Sequence, residues 1–124
     1  MAERPVEMYF KTHDPQYVAE DAVFIDMNSG DETRGREAIS QMLNYIYHVA
    51  FDAHAEITHT ILTKDSAVLE ARFVGRHTGD FGGVPATGKE VNVPLCVVYD
   101  LENELIKTAR IYMAVGAMMA QLNA

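Results

Sequence analysis

Three side chains in the strand-forming stretches of the chain are of types that can do chemistry: Asp26, Arg72 and His77. A carboxyl beside apolar walls has a raised pKa, so Asp26 could take or give a proton near neutral pH. The guanidinium of Arg72 could hold an enolate, a carboxylate or a carbonyl oxygen. His77 could donate a hydrogen bond or shuttle a proton. Together these residue types indicate acid/base chemistry.

Each of these residues also has a purely structural interpretation. Asp26 could cap the loop that follows its strand. Arg72 shares a strand face with other charged residues, so it could form a cross-strand ion pair on the outer face of a sheet. His77 has the opposite strand parity from Arg72, so both face one pocket only if a bulge occurs near Gly75. The structural alternative for His77 is a histidine that packs near a turn.

The elements that must position these residues are helices followed by an antiparallel sheet. Three runs rich in β-branched and aromatic residues are separated by Gly, Pro and Asn, which predicts a three-stranded antiparallel meander over residues 68–78, 91–100 and 105–115. Before the meander, the sequence predicts short helices over 6–10 and 15–20, a strand over 22–27, a helix over 35–50 and a strand over 52–63. The order α-α-β-α-β-β-β-β is typical of the α+β class.

The helix over 35–50 has the clearest periodicity. Its apolar stripe consists of Ile39, Met42, Leu43, Ile46, Val49 and Ala50. In the strand over 22–27, alternation places Ala22, Phe24 and Asp26 on one face.

The run over 91–98 is apolar on both strand faces. Val91, Val93, Leu95 and Val97 alternate with Cys96 and Val98. A strand covered on both sides is central or lies in an oligomer interface, and Pro94 requires an edge or a bulge. We therefore expect a homodimer formed through the sheet.

Composition limits the classes of partner and the compartment. At 124 residues the chain predicts one domain, residues 1–124, and a formal net charge of −8 argues against nucleic acid or an anionic membrane as partner. The single cysteine, Cys96, excludes an internal disulfide, and no apolar run approaches the roughly 18 residues of a membrane span. The histidines lack paired zinc spacing, so neither a metal site nor a cofactor is predicted. We expect a cytoplasmic protein.

Several short runs resemble the nuclear transport factor two-like superfamily, and within it the SnoaL-like polyketide cyclases and the limonene-epoxide-hydrolase group. The matching stretches are 20–26, 34–39, 75–81, 85–89 and 106–122. The resemblance implies a cystatin-like, cone-shaped curved antiparallel sheet packed on N-terminal helices, an apolar pocket and usually a homodimer. It also implies that the face of Asp26 and Phe24 points into the pocket.

The chain departs from the family pattern at two places. Catalytic members place an acid on the closing strand, where residues 110–114 of this chain contain none. The epoxide hydrolases pair an arginine with an aspartate two residues later; Arg72 fits the arginine, but Val74 stands at the aspartate position. Asp26 is then the best acid/base candidate.

Strand alternation and the resemblance together predict the pocket. Its catalytic residues are Asp26, Arg72 and His77, and its lining is Tyr9, Phe24, Met42, Tyr45, Val74, Val93, Leu95, Ile111 and Met113. The favoured function is a cofactor-free enzyme that cyclises, isomerises or hydrolyses a small apolar molecule. The alternatives are a non-catalytic binder of a small ligand and an interaction module that uses only the dimer sheet.

Overall fold

The computed structural model describes residues 3–124. The elements are α1 Pro5–Thr12, a 3₁₀ turn Pro15–Tyr17, β1 Val18–Asp26, β2 Glu32–Arg34, α2 Arg36–Asn44, a π-helical segment Tyr45–Ala50, β3 Phe51–Leu62, β4 Ser66–His77, β5 Glu90–Glu102, β6 Leu105–Met113 and α3 Val115–Leu122. Across the described range, no helix is long and apolar enough to cross a membrane.

The strands form one six-stranded sheet in the order β2-β1-β6-β5-β4-β3. The predicted meander is present as β4, β5 and β6, which pair antiparallel, and β3 adds to it antiparallel through β4. The α+β class is confirmed. The pairing of β1 was not predicted: it is parallel with β6, so the sheet is mixed.

The main core lies between the concave face of the sheet and the helices. Alternate side chains of β4 and β5 are buried on this face, as their period-2 pattern requires. They include Leu69, Ala71, Phe73, Val93, Leu95, Val97 and Tyr99. From the other side, α1 buries Val6, Tyr9 and Phe10 in one cluster with Leu69, Ala71, Leu95, Val97 and Tyr99.

The ends of α1 follow from local sequence. Pro5 begins the helix, where a missing N–H costs nothing, and the Glu7 carboxylate accepts from the Arg4 N–H at 3.1 Å. The helix ends at His13, which has a left-handed φ of 54° and whose N–H donates to the Tyr9 carbonyl at 2.8 Å. This end brings Tyr9 and His13 to the same side of the core.

The predicted helix over 35–50 changes character half-way. It is α-helical to Asn44 and π-helical from Tyr45 to Ala50. The wider π turn rotates the residues that follow it, so the predicted apolar stripe holds at Ile39 but fails at Val49, which is 45% exposed. Tyr47 is turned inward in its place and is buried.

Three boundaries differ from the sequence prediction. The second helix is only the turn Pro15–Tyr17, which Asp14 caps as expected by accepting from the Gln16 N–H, and β1 begins at once. The predicted polar loop 28–34 contains the short strand β2. The helix α3 was not predicted; it buries Met118 and Leu122 against Phe73, Val91 and Val93.

Pro94 lies in a central strand, so the requirement for an edge or bulge was wrong. Its carbonyl accepts from the N–H of Ala114, the first residue after β6. The N and C=O of one strand residue point to the same side, so the N–H that proline lacks would face the end of β6. The ladder between β4 and β5 therefore loses no bond.

Candidate active site

A cavity of about 240 Å³ lies between the concave face of the sheet and the segment Met42–Tyr47. Predicted pocket residues that line it are Tyr9, Phe24, Asp26, Met42, Leu95, Ile111 and Met113. For the strand residues among them, the predicted parity is the one observed. No bulge interrupts the pairing of β1 with β6 from residue 23 to 26, of β5 with β4, or of β6 with β5 between residues 95 and 100.

The strand register arranges the inward side chains in rows. Asp26 lies beside Ile111 and Ile111 beside Val97, whereas Phe24 and Tyr99 flank Ala109 in the next row. The two rows are two residues apart, or about 7 Å. Asp26 is half-buried and Tyr99 is buried. The cavity therefore runs from a carboxylate near its open side to an aromatic interior.

Asp26 is both a loop cap and a cavity residue. Its Oδ1 accepts from the Asn28 N–H at 2.8 Å, and its backbone bonds to Gly30 and Asp31 close the following turn. Asn28 is itself anchored, since its side chain donates to the Met113 carbonyl at 2.9 Å. Within residues 3–124, Oδ2 of Asp26 has no hydrogen-bond partner. The carboxylate is thus held by one oxygen and available through the other.

Arg72 does not reach the cavity. The pairing of β4 with β5 is regular, so residues of its parity point to the outer face, and Val74 goes with it. There the Arg72 side chain donates to Asn92, through Nε to Oδ1 and through Nη2 to the carbonyl at 3.2 Å. Placing Arg72 and Val74 in the pocket was wrong. The structural interpretation correctly placed Arg72 on the outer face, although its cross-strand partner is the amide of Asn92 and not an acid.

His77 faces inward but is sealed in the protein. Its Nδ1 accepts from the Thr87 N–H at 3.1 Å, which leaves the proton on Nε2, and its ring packs on Phe51 with centroids 5.1 Å apart. It ties the end of β4 to the loop 78–89 and does not line the cavity. No bulge occurs at Gly75, so Arg72 and His77 lie on opposite faces of the sheet.

Two more predicted lining residues lie elsewhere. Val93 is fully buried in a second core cluster with Phe51, Phe73 and Met118. Tyr45, at the end of α2 and outside its apolar stripe, is 42% exposed, and its hydroxyl donates to the Asp80 carbonyl. That bond holds the loop 78–89 near the cavity, where Phe81 supplies part of the wall.

The sequence prediction missed a group of polar aromatic residues inside the cavity. Tyr47 and Tyr99 line it with Tyr9, and His13 packs beside them, with its ring centroid 5.2 Å from that of Tyr9 and 4.8 Å from that of Tyr47. Tyr99 could have been found, since it continues the parity of Val93, Leu95 and Val97. Tyr47 could not, because only the π turn directs it inward.

Burial sets the protonation of this group. It raises the pKa of Tyr47 to about 12. It raises the pKa of Tyr9 and Tyr99 further, and the neighbouring tyrosines add to the effect. Burial, and then the nearby His48, lowers the pKa of His13 from 6.5. At neutral pH all four side chains are uncharged.

The donor set of the cavity does not favour a metal. In the described part of the chain, no three His, Cys, Asp or Glu side chains cluster closely enough to hold an ion. The acids that line the cavity are Asp26 and Asp31. What the arrangement can do is move a proton beside apolar walls.

Comparison with known proteins decides the family. Residues 12–122 match the family model of the SnoaL-like polyketide cyclases. This chain belongs to that family. As a SnoaL-like chain it has the expected nuclear transport factor two-like fold, and the resemblance inferred from its sequence is confirmed. No curated protein is similar enough to match it.

Solved structures share the fold of this SnoaL-like chain. A protein of Jannaschia sp. CCS1 assigned to the SnoaL-like polyketide cyclases superposes with a TM-score of 0.86 at 20% identity, covering 97% of this chain and 90% of that one. A protein of Xanthomonas campestris assigned to the polyketide cyclases gives 0.82 at 19% identity, covering 95% and 93%. A Catenulispora acidiphila protein with a ketosteroid isomerase-like fold, in complex with trimethylamine, gives 0.76 at 20% identity, covering 99% and 95%.

Proposed function

We propose that this SnoaL-like protein is a cofactor-free enzyme that does acid/base chemistry on a small apolar molecule, with Asp26 as the proton carrier. The observation that carries the proposal is the Asp26 carboxylate at an apolar cavity, fixed through Oδ1 and unpartnered at Oδ2 among residues 3–124. A general base needs this combination of fixed position and one free oxygen.

The proposed step is a proton transfer. The Asp26 carboxylate takes a proton from the substrate, forming its O–H bond while the substrate keeps the electron pair, and returns the proton at another atom. Cyclisation and isomerisation can each be built from such a step. Hydrolysis needs the variant in which Asp26 takes the proton from a water molecule, whose oxygen bonds to the substrate, and returns the proton to the oxygen that leaves. Arg72 and His77 have no part in it, because neither lines the cavity.

The test begins with the ligand. Native mass spectrometry of the purified protein identifies a co-purified compound, and turnover of that compound and its analogues is followed against pH in the native protein and in Asp26→Asn. We expect turnover to fall by about 10²–10⁴-fold in Asp26→Asn, as positioned acid/base catalysis requires. Full turnover in Asp26→Asn would exclude Asp26 as the proton carrier. Tight binding with no turnover in the native protein would favour the non-catalytic binder.

We also propose a homodimer through the outer face of the sheet. Supporting it are Cys96 and Val98 on that face of β5, and the exposed Tyr112 on β6. Apolar side chains that a sheet leaves on its outer face can be covered by a second copy of the chain. Light scattering that gives a concentration-independent mass of 13.8 kDa would contradict the dimer.

A cytoplasmic location is the compartment we propose. The lone Cys96 and the formal net charge of −8 support it. Cell fractionation with an antibody to the protein tests it, and recovery in the membrane or secreted fraction would overturn it.

A further inference from the structure

The hydroxyls of Tyr9, Tyr47 and Tyr99 are polar groups in the interior of the molecule without partners. The three side chains are 2%, 8% and 4% exposed, and none of their hydroxyls makes a hydrogen bond within residues 3–124. Buried hydroxyls are normally hydrogen-bonded, because leaving one unpaired costs free energy. Three such groups in one place need an explanation.

These hydroxyls open onto the cavity. In the described chain, the one buried side-chain polar atom that is both sealed and unpartnered is Nε2 of His77. The hydroxyls of Tyr9, Tyr47 and Tyr99 therefore keep accessible surface, and the cavity that all three residues line supplies it. We call these three residues the tyrosine cluster.

The tyrosine cluster presents donors. Burial raises the pKa of each phenol, so each keeps its proton at neutral pH. A phenol O–H that has no partner in the protein can donate a hydrogen bond to an acceptor atom of a ligand, and that acceptor is usually an oxygen. The adjoining imidazole of His13 is neutral and adds no positive charge.

The charge of the cavity limits that acceptor to a neutral group. No Lys or Arg among the described residues lines the cavity, whereas Asp26 and Asp31 do. A carboxylate or phosphate would enter an acidic, apolar space without a counter-charge, which is costly. A ketone or aldehyde oxygen accepts hydrogen bonds and carries no charge.

We propose that the tyrosine cluster binds the carbonyl oxygen of a small, uncharged carbonyl compound of one or two rings. A cavity of about 240 Å³ is smaller than the roughly 300–1,000 Å³ that holds a drug-sized ligand, which sets the size. The aromatic walls suit flat rings. The ligand is then oriented with its oxygen at the interior and its opposite edge toward Asp26. That this carbonyl compound is the substrate, and not only a ligand, rests on the proposed function.

The test compares two probes of the same shape. 1-Tetralone has a carbonyl oxygen, and tetralin has the same bicyclic skeleton without it. We expect 1-tetralone to bind the native protein at least about tenfold more tightly in an NMR titration, the size of effect of an unpaired buried donor. Equal affinities, or binding of neither probe, would overturn the inference.

Tyrosine variants and a spectroscopic signature separate recognition from folding. Tyr9→Phe, Tyr47→Phe and Tyr99→Phe should each weaken 1-tetralone and leave tetralin unchanged, and the bound carbonyl stretch in the infrared should move to higher frequency. Tyr112→Phe, on the exposed outer face, is the matched control and should change neither. If the cluster variants weaken both probes equally, the cluster is only structural and the inference is wrong.

Asp26→Asn distinguishes this inference from the proposed function. It should keep the full preference for 1-tetralone while losing turnover. If it keeps both, the proton-carrier assignment fails and carbonyl recognition stands.

Discussion

The two faces of the six-stranded sheet differ in how their polar side chains are paired. On the outer face, Asp100 accepts from Thr108 and from Arg110, whose Nη1 lies 2.7 Å from Oδ2, and Arg72 donates to Asn92. On the concave side, Oδ2 of Asp26 has no hydrogen-bond partner among residues 3–124. The same is true of the tyrosine cluster, in which Tyr99 lies in β5 and Tyr9 and Tyr47 lie in the helical segments that cover the sheet. Polar groups that satisfy one another hold strands together, whereas unpaired ones beside a cavity are available to a ligand.

The difference also explains why residue type alone misleads. Arg72 has the chemistry of an anion binder but lies on the outer face, where its Nε and Nη2 already donate to Asn92. Tyr47 and Tyr99 look like ordinary core residues but carry the free donors. The side of the sheet on which a polar group lies separates groups that are already paired from groups that are free to meet a ligand.

The largest expected effect is on turnover. Asp26→Asn should lower it by about 10²–10⁴-fold, because the amide cannot take up the proton. Arg72→Gln, on the outer face, should leave turnover within about twofold. Steady-state rates of both variants at one pH test this difference. A large loss of turnover in Arg72→Gln would place the chemistry on the outer face and contradict the proposal.

Packing should differ between adjacent residues of β4. Phe73 is fully buried on the concave face, and Phe73→Ala should lower the free energy of unfolding by about 3–5 kcal/mol. Val74 is half-buried on the outer face, and Val74→Ala should cost about 1 kcal/mol or less. Urea unfolding of both variants measures this. A cost for Val74→Ala that grows with protein concentration would instead show that a second copy covers this face.

On the concave side, His13 should make stability depend on pH near neutrality. Its pKa is lowered in the folded protein from 6.5, so the unfolded chain binds the proton more readily. The free energy of unfolding is then highest above pH 6.5 and falls as the pH drops below it. His13→Asn suits the left-handed backbone and does not titrate, so it should remove this part of the slope. An unchanged slope between pH 7 and 5 would contradict the assignment.

The smallest effect belongs to the outer face. The hydrogen bonds from Arg110 and then Thr108 lower the pKa of Asp100 from 3.8, so their stabilisation is present above that value and is lost as the pH falls through the folded pKa. The pair is partly exposed, so we expect Asp100→Asn to cost only about 0.5–1 kcal/mol at neutral pH. Thermal unfolding at pH 7 and pH 3 should show the variant and native proteins converging in acid.

Much of the fold could be predicted from periodicity and turn residues. The meander, the long helix and the inward parity of Leu95 and Met113 all depend on patterns within a few residues. The parallel pairing of β1 with β6 could not be predicted, because it joins segments more than 80 residues apart. The sequence predicted the strand on which α3 packs, but it did not predict α3. This helix has no capping side chain and no charged residues, so the sequence contains no signal for its first residue.

The site was less predictable than the fold. Asp26 was found because strand alternation grouped it with Phe24. Arg72 was placed in the pocket by analogy with the family, although the strand parity puts it on the outer face. His77 does face inward, but packing seals it away from the cavity, and strand parity cannot show this. Tyr47 depends on the π-helical segment, where one wider turn changes which residues face inward.

The methionine methyl groups provide the most direct test of the central claim that the concave cavity, and not the outer face, binds the ligand. Met42 and Met113 line the cavity, Met27 is exposed, and Met118 is buried in the second core cluster. In a titration with 1-tetralone followed by methyl NMR, the signals of Met42 and Met113 should shift and those of Met27 and Met118 should stay. Shifts at Met27 without shifts at Met42 and Met113 would contradict the account.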